Sequence, residues 1–308
     1  MSSQGSQLVV VVTFFLLLTA TTVALRCYVR LRITGGFGAD DALSVASLVF
    51  FILGSICLLI GVGTGSFGHM WMSLSHRTLV VGLKLLFVYE ASYVIATCLV
   101  KLSICLFLLR FTLERKHTFP LYGVFAVTLS YSIFLLFFAL FQCKPVSAFW
   151  DPQGNCNRPG TIKVTYAHSA VVSACDLVLV LVPIFIVHHL PLGFRTKVCV
   201  WILLALGSCA SIATWPRFAY VHDLIDPKNL FFNIGLILTS HLEIGIALTA
   251  SSVATLRPLL MRLRGVSSDR TQSYRSDQDY LSRTESVGRY PHQAQQANEI
   301  NVELSEES

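Results

Sequence analysis

Residues 85–109 read LLFVYEASYVIATCLVKLSICLFLL, an apolar run holding one glutamate and one lysine. A helix needs roughly 20 such residues to cross the ~30 Å hydrocarbon layer of a bilayer. Lipid offers a backbone no hydrogen-bonding partner, so only helices or closed barrels span it. The run lacks the strict alternation of a barrel strand. It predicts a membrane-spanning helix, with its start placed after Lys84.

Six more runs of this kind flank it, at 7–25, 41–62, 119–141, 163–187, 198–219 and 233–256. Composition agrees: 54% of the 308 residues are hydrophobic and 13% are charged, against about 25% charged in soluble domains. The expectation is an all-α membrane protein, a seven-helix transmembrane bundle over residues 1–258. Residues 259–308 are rich in Ser, Gln, Arg and Glu with few aliphatic clusters, and such material does not bury enough surface to fold alone. A disordered cytoplasmic tail is expected there, its basic start RPLLMRLRG lying against anionic headgroups.

Orientation follows from flanking charge. The first run has no basic residue before it and no small-x-small cleavage site, and Arg26, Arg30 and Arg32 follow it directly. That order predicts an uncleaved helix with the N-terminus outside. On alternate sides the count of Lys and Arg is then 15 inside to 7 outside, or 8 to 7 without the tail. Cys143 and Cys156 flank the polar loop QCKPVSAFWDPQGNCN, which this orientation places outside, where disulfides persist; they are expected to pair. The integral protein would reside in the plasma membrane or the endoplasmic reticulum. The net charge of +6 expresses membrane topology, and no nucleic-acid partner is expected.

Glu90, Tyr93, Thr97 and Lys101 recur at helical spacing and form one polar stripe on the third run. Eleven residues of helix is about 16 Å, too far for Glu90 and Lys101 to pair with each other. Ionisable groups in a membrane face the bundle interior or a wet cavity, so their partners must lie on other helices. Asp176 sits in the fifth run, with Ser169 and Ser173 on its face, and Glu243 in the seventh beside Ser240. Counted from the outer ends, Glu243, Asp176 and Lys101 fall within roughly 9 Å of depth. Two polar layers are predicted: Glu90 with Arg217 near the outer mouth, and Lys101 with Asp176 and Glu243 near the midplane. Glu90, Tyr93, Thr97, Lys101, Asp176, Ser240 and Glu243 are the candidate ligand-binding residues. No metal site is expected, since His168 and His241 lack a helical i, i+4 partner.

The stretches FGADDALSV, GVGTGSFGH, YEASYVIATCLVKLSICLFLLRF, FQCKPVSAFWDPQGNC, DLVLVLVPI with LPLGFRTK, and LEIGIALTASSVATLRPLL resemble, in this order, the fungal rhodopsin-domain family of seven-helix membrane proteins. Some of its members are called receptor-like and others sit in natural-product gene clusters. The resemblance covers residues 8–260 and implies family positions at Asp40, Asp41, His69, Lys101, Cys143, Trp150, Cys156, Asp176, Lys197, Arg217 and Glu243. It departs at Val172, where the family often has Asn, and lacks a proline shortly before LRPLL. Retinal needs a seventh-helix lysine, and residues 233–256 contain none, so no cofactor is expected. Neither a D-R-Y triplet nor N-P-x-x-Y occurs, so G-protein coupling is not inferable.

Two functions compete. One is a multi-pass protein binding a small lipophilic metabolite, as a receptor-like sensor or an accessory of a fungal secondary-metabolite pathway. The alternative is an intramembrane acid/base enzyme, a cyclase or isomerase of a lipophilic natural product. An apolar cavity favours the neutral, proton-donating form of a carboxylic acid. Glu243, Asp176 and Glu90 are the candidate acids, with Lys101 steadying a developing anion. Transport finds no support in internal repeats or paired broken helices.

Overall fold

The computed structural model describes residues 3–67, 75–111, 115–151, 156, 158–189 and 234–256, all within one compact unit, Met1–Arg257. The predicted run 198–219, Arg217 and the tail from 259 lie outside the described residues. The described elements are helices: α1 (Ser3–Tyr28), α2 (Ala39–Gly63), α3 (His76–Phe111), α4 (Arg115–Phe141), α5 (Arg158–His189) and α6 (Ile234–Thr255), with a 3-10 turn at Val146–Phe149. Six spans among them are long and apolar enough to cross a membrane. The chain is an integral membrane protein.

Helix α3 begins at His76, well before the predicted start at 85. Lys84 does not end it, because its side chain is exposed and lies over the Trp150 ring, 5.6 Å from the centroid. A long amphipathic stem lets the charge leave the apolar layer while the backbone stays helical.

Small residues set the helix spacing, since lipid-embedded helices gain most from close backbone approach. Between α2 and α3, Ser47 Oγ donates to Ala96 O at 2.9 Å, and both residues are fully buried. Gly54 faces the Tyr89 ring, where an added Cβ would lie 3.3 Å from it. Between α1 and α6, a Cβ at Gly245 would run into the Phe15 ring.

The apolar interior falls into three groups along the bundle. Leu8, Leu58, Val62, Tyr89 and Ile237 pack together at one end, and Val23, Phe51, Tyr93, Val100 and Leu248 in the middle. Cys105, Leu108, Leu121, Cys175 and Leu179 join α3, α4 and α5 toward the other end. Outward, α4 shows Phe134, Phe137 and Phe141, as a lipid-facing helix should.

Candidate functional site

The stripe on α3 faces inward as its spacing requires: Tyr93, Thr97 and Lys101 are 8%, 4% and 5% exposed. Tyr93 lies at the meeting of α3, α5 and α6. Its hydroxyl donates to Glu243 Oε2 at 3.0 Å and is 3.4 Å from His168 Nε2. A phenol has one proton to give. With it on Glu243, the second contact is a hydrogen bond only where His168 donates through Nε2. The imidazole also lies parallel to Tyr131, 5.9 Å between centroids, and edge-on to Tyr93.

Two turns further along α3, Lys101 Nζ forms an ion pair with Asp176 Oδ1. Depth counting therefore brought the right pair together. Glu243 is 3% exposed, lies close enough for its charge to act on Lys101, and accepts a hydrogen bond from Tyr93. Thr97, between the two clusters on α3, is buried and its hydroxyl has no hydrogen-bond partner among the described residues, nor has Asp176 Oδ2. Ser240 turns back on its own helix, donating to Leu236 O at 2.7 Å. His241 stacks on Phe51 at 4.3 Å.

Two participants were missed in the sequence. His168, Val172 and Asp176 are spaced by four on α5, so the histidine shares the aspartate's face, a signal visible before any coordinates. Tyr131 carried no such signal.

Glu90 belongs to a separate polar set. Gln142 Nε2 donates to Glu90 Oε2 at 3.4 Å, and Thr161 Oγ1 donates to Gln142 Oε1 at 3.1 Å. The predicted partner Arg217 lies outside the described residues. At the same end the Cys143–Cys156 disulfide is formed, and Phe149 and Trp150 pack on Phe87.

At the opposite end the turn between α1 and α2 holds a charge cluster that the sequence reading did not assemble. After Tyr28 the chain continues into one π-helical turn, Val29–Ile33, closed by Thr34 N–H donating to Val29 O at 2.9 Å. Arg26 is 0% exposed; its Nε and Nη2 contact Asp41 Oδ1 at 2.7 Å and Asp40 Oδ2 at 2.9 Å. Arg30 reaches the same two carboxylates at 3.3 and 3.4 Å. Arg26 Nη1 donates to Ser251 O on α6 at 3.2 Å, and Ser103 Oγ on α3 donates to Asp40 O at 2.6 Å. Asp41 also caps α2, accepting from Gly38 N–H at 3.0 Å. Four helices are tied at one point, and a buried, paired ion cluster of this kind is structural before it is chemical.

The profile of the family described as the fungal rhodopsin domain matches residues 25–262. A relative, the polyenoic acids biosynthesis gene cluster protein Ba17b of Metarhizium anisopliae, is 26% identical over 278 residues, covering 84% of this chain and 75% of the relative. No solved structure matches the chain significantly.

Proposed function

The chain belongs to the fungal rhodopsin domain family, and from that premise we propose that it binds a small lipophilic metabolite of a secondary-metabolite pathway, as a receptor-like sensor or pathway accessory. A similar protein is named for a polyenoic acid gene cluster, so a long conjugated or unsaturated chain is the ligand class to try first. One observation carries the proposal: the Tyr93 hydroxyl sits between Glu243 and His168, beside the Lys101–Asp176 pair, inside a bundle where each such group is costly. The apolar layers on either side suit a hydrocarbon chain, and the polar cluster suits its hydrogen-bonding end.

A second reading draws on the same hydroxyl. A phenol bridging a carboxylate and an imidazole is an acid/base arrangement, which favours an intramembrane cyclase or isomerase over other enzyme classes. In either case we place a seventh span over 198–219, the N-terminus and disulfide loop outside, and the basic tail in the cytoplasm. Retinal has no place in this proposal, since α6 carries no lysine.

The test is to delete the gene, profile lipophilic metabolites, and incubate any compound that accumulates with membranes carrying wild-type or Glu243→Gln protein. Binding of that compound without conversion, weakened by Glu243→Gln, supports the sensor or accessory. Conversion by wild type alone moves the assignment to the enzyme. An unchanged metabolite profile together with no binding of polyenoic lipids refutes both.

A further inference from the structure

The α1–α2 turn presents more positive charge than its carboxylates absorb. Four arginines belong to this end: Arg26 and Arg30 on Asp40 and Asp41, Arg110 over the turn, and Arg32 in the Val29–Ile33 segment that leads into it. Arg26 and Arg30 account for both carboxylates. Arg32 and Arg110 are exposed, and neither has an ion pair among the described residues. The Arg110 guanidinium lies over the glycine turn: its Nη2 is 3.8 Å from where a Cβ at Gly36 would stand, and its Nη1 3.6 Å from one at Gly38. Two positive charges are thus left at one end of the bundle.

Around them the surface is apolar. Tyr28, Leu31 and Phe37 are 57%, 60% and 47% exposed. Aromatic and aliphatic side chains beside free arginines are the pattern of a membrane interface, where rings sit at headgroup level. A soluble phosphate would use the arginines and leave those three side chains without a role. A glycerophospholipid uses both.

We infer that Arg32 and Arg110, set on the Gly35–Gly38 turn, bind the phosphate of an anionic phospholipid whose acyl chains lie along Tyr28, Leu31 and Phe37. The Asp40–Asp41–Arg26–Arg30 cluster holds the turn in place and screens its carboxylates from the phosphate. Nothing in the midplane site is needed for this, so the inference stands apart from the ligand proposed above.

Full-length protein in neutral detergent is equilibrated with phosphatidic acid and phosphatidylcholine of matched chains, and the bound lipid is counted by native mass spectrometry. An arginine near an anionic surface contributes ~1 kcal/mol, about fivefold in binding. Arg110→Gln should lower the anionic preference about fivefold and Arg32→Gln/Arg110→Gln about thirtyfold, while Arg110→Lys retains most of it. Arg77→Gln/Lys163→Gln removes the same charge from exposed positions at the opposite end and should leave the preference unchanged. A double glutamine variant that keeps the wild-type preference, or an equal loss in the opposite-end control, overturns the site. Glycerol 3-phosphate at matched concentration should not displace the lipid; displacement would overturn the lipid as its source.

Discussion

Replacing Arg26 by Met should be among the most damaging single substitutions in the protein. The guanidinium is fully buried and serves Asp41 at 2.7 Å, Asp40 at 2.9 Å and Ser251 O at 3.2 Å. Without it two buried carboxylates share Arg30 alone, at 3.3 and 3.4 Å. Breaking a buried pair from one side costs about 3–5 kcal/mol, a large part of the ~5–15 kcal/mol that holds a domain folded. At about 2–4 °C per kcal/mol for a chain of this size, the melting midpoint should fall by roughly 6–20 °C. Arg30→Met, one turn away, should cost only about 1.5 kcal/mol, since of its two longer ion-pair contacts only the one to Asp40 is a hydrogen bond and Arg26 keeps both acids paired. Arg26→Met/Asp41→Asn should regain about half of the loss, since the stranded charge is removed with its partner. The assay is fluorescence-detected size exclusion after a heating series in detergent. Equal midpoints for the Arg26 and Arg30 variants, or no recovery in the double variant, would refute the assignment of Arg26 as the centre of the cluster.

Lys101→Met and Asp176→Asn should each reduce surface expression by more than half, since breaking a buried pair from one side costs about 3–5 kcal/mol, and the double variant should do better than either; a double no better than the singles removes the pairing. Cys143→Ser opens a loop spanning a sequence separation of 13, a closure contributing about 3 kcal/mol, and should lower the midpoint by roughly 6–12 °C. Reductant should then have no further effect on that variant, which a second heating series reads directly. Gly245→Val forces the Phe15 ring away from α6, an overpacking cost of about 1–3 kcal/mol, and Phe15→Ala in the same chain should restore part of it in the same assay.

The helices were legible because a bilayer imposes one length and one polarity on every span, and both are properties of the sequence alone. The start of α3 was not, since a lysine marks an end only where its side chain has no route to a polar surface, and Lys84 has Trp150. The stripe from Glu90 to Lys101 was legible through its period, and the Lys101–Asp176 pair through depth, because parallel helices share the bilayer normal as a common ruler. Depth carries no information about rotation around that normal. Glu243 was therefore set beside Lys101, on which its charge does act, but its hydrogen bond from Tyr93 was not foreseen. His168 went unassigned because a lone histidine has no partner in one dimension, although its spacing to Asp176 put both on one face. The Arg26–Asp41 cluster was hidden for another reason: its residues are near in sequence, but the arginines had been read as topological charges.

That last misreading changes the charge balance on which orientation rests. Positive residues orient a helix through their attraction to an anionic leaflet, and a guanidinium neutralised by a buried carboxylate has little left to offer. With Arg26 and Arg30 bound to Asp40 and Asp41, the count outside the tail moves from 8 to 7 in favour of the inside to 6 against 7. The flanks of the helices then give no preference, and the expected orientation rests on the seven arginines from Arg257 onward. Of the charges on the α1–α2 turn, the two still free to act on a leaflet are Arg32 and Arg110, the same two that the proposed headgroup site needs. A chain that loses both arginines would count 4 inside against 7 outside in its flanks, and the tail arginines would then have to hold the expected direction.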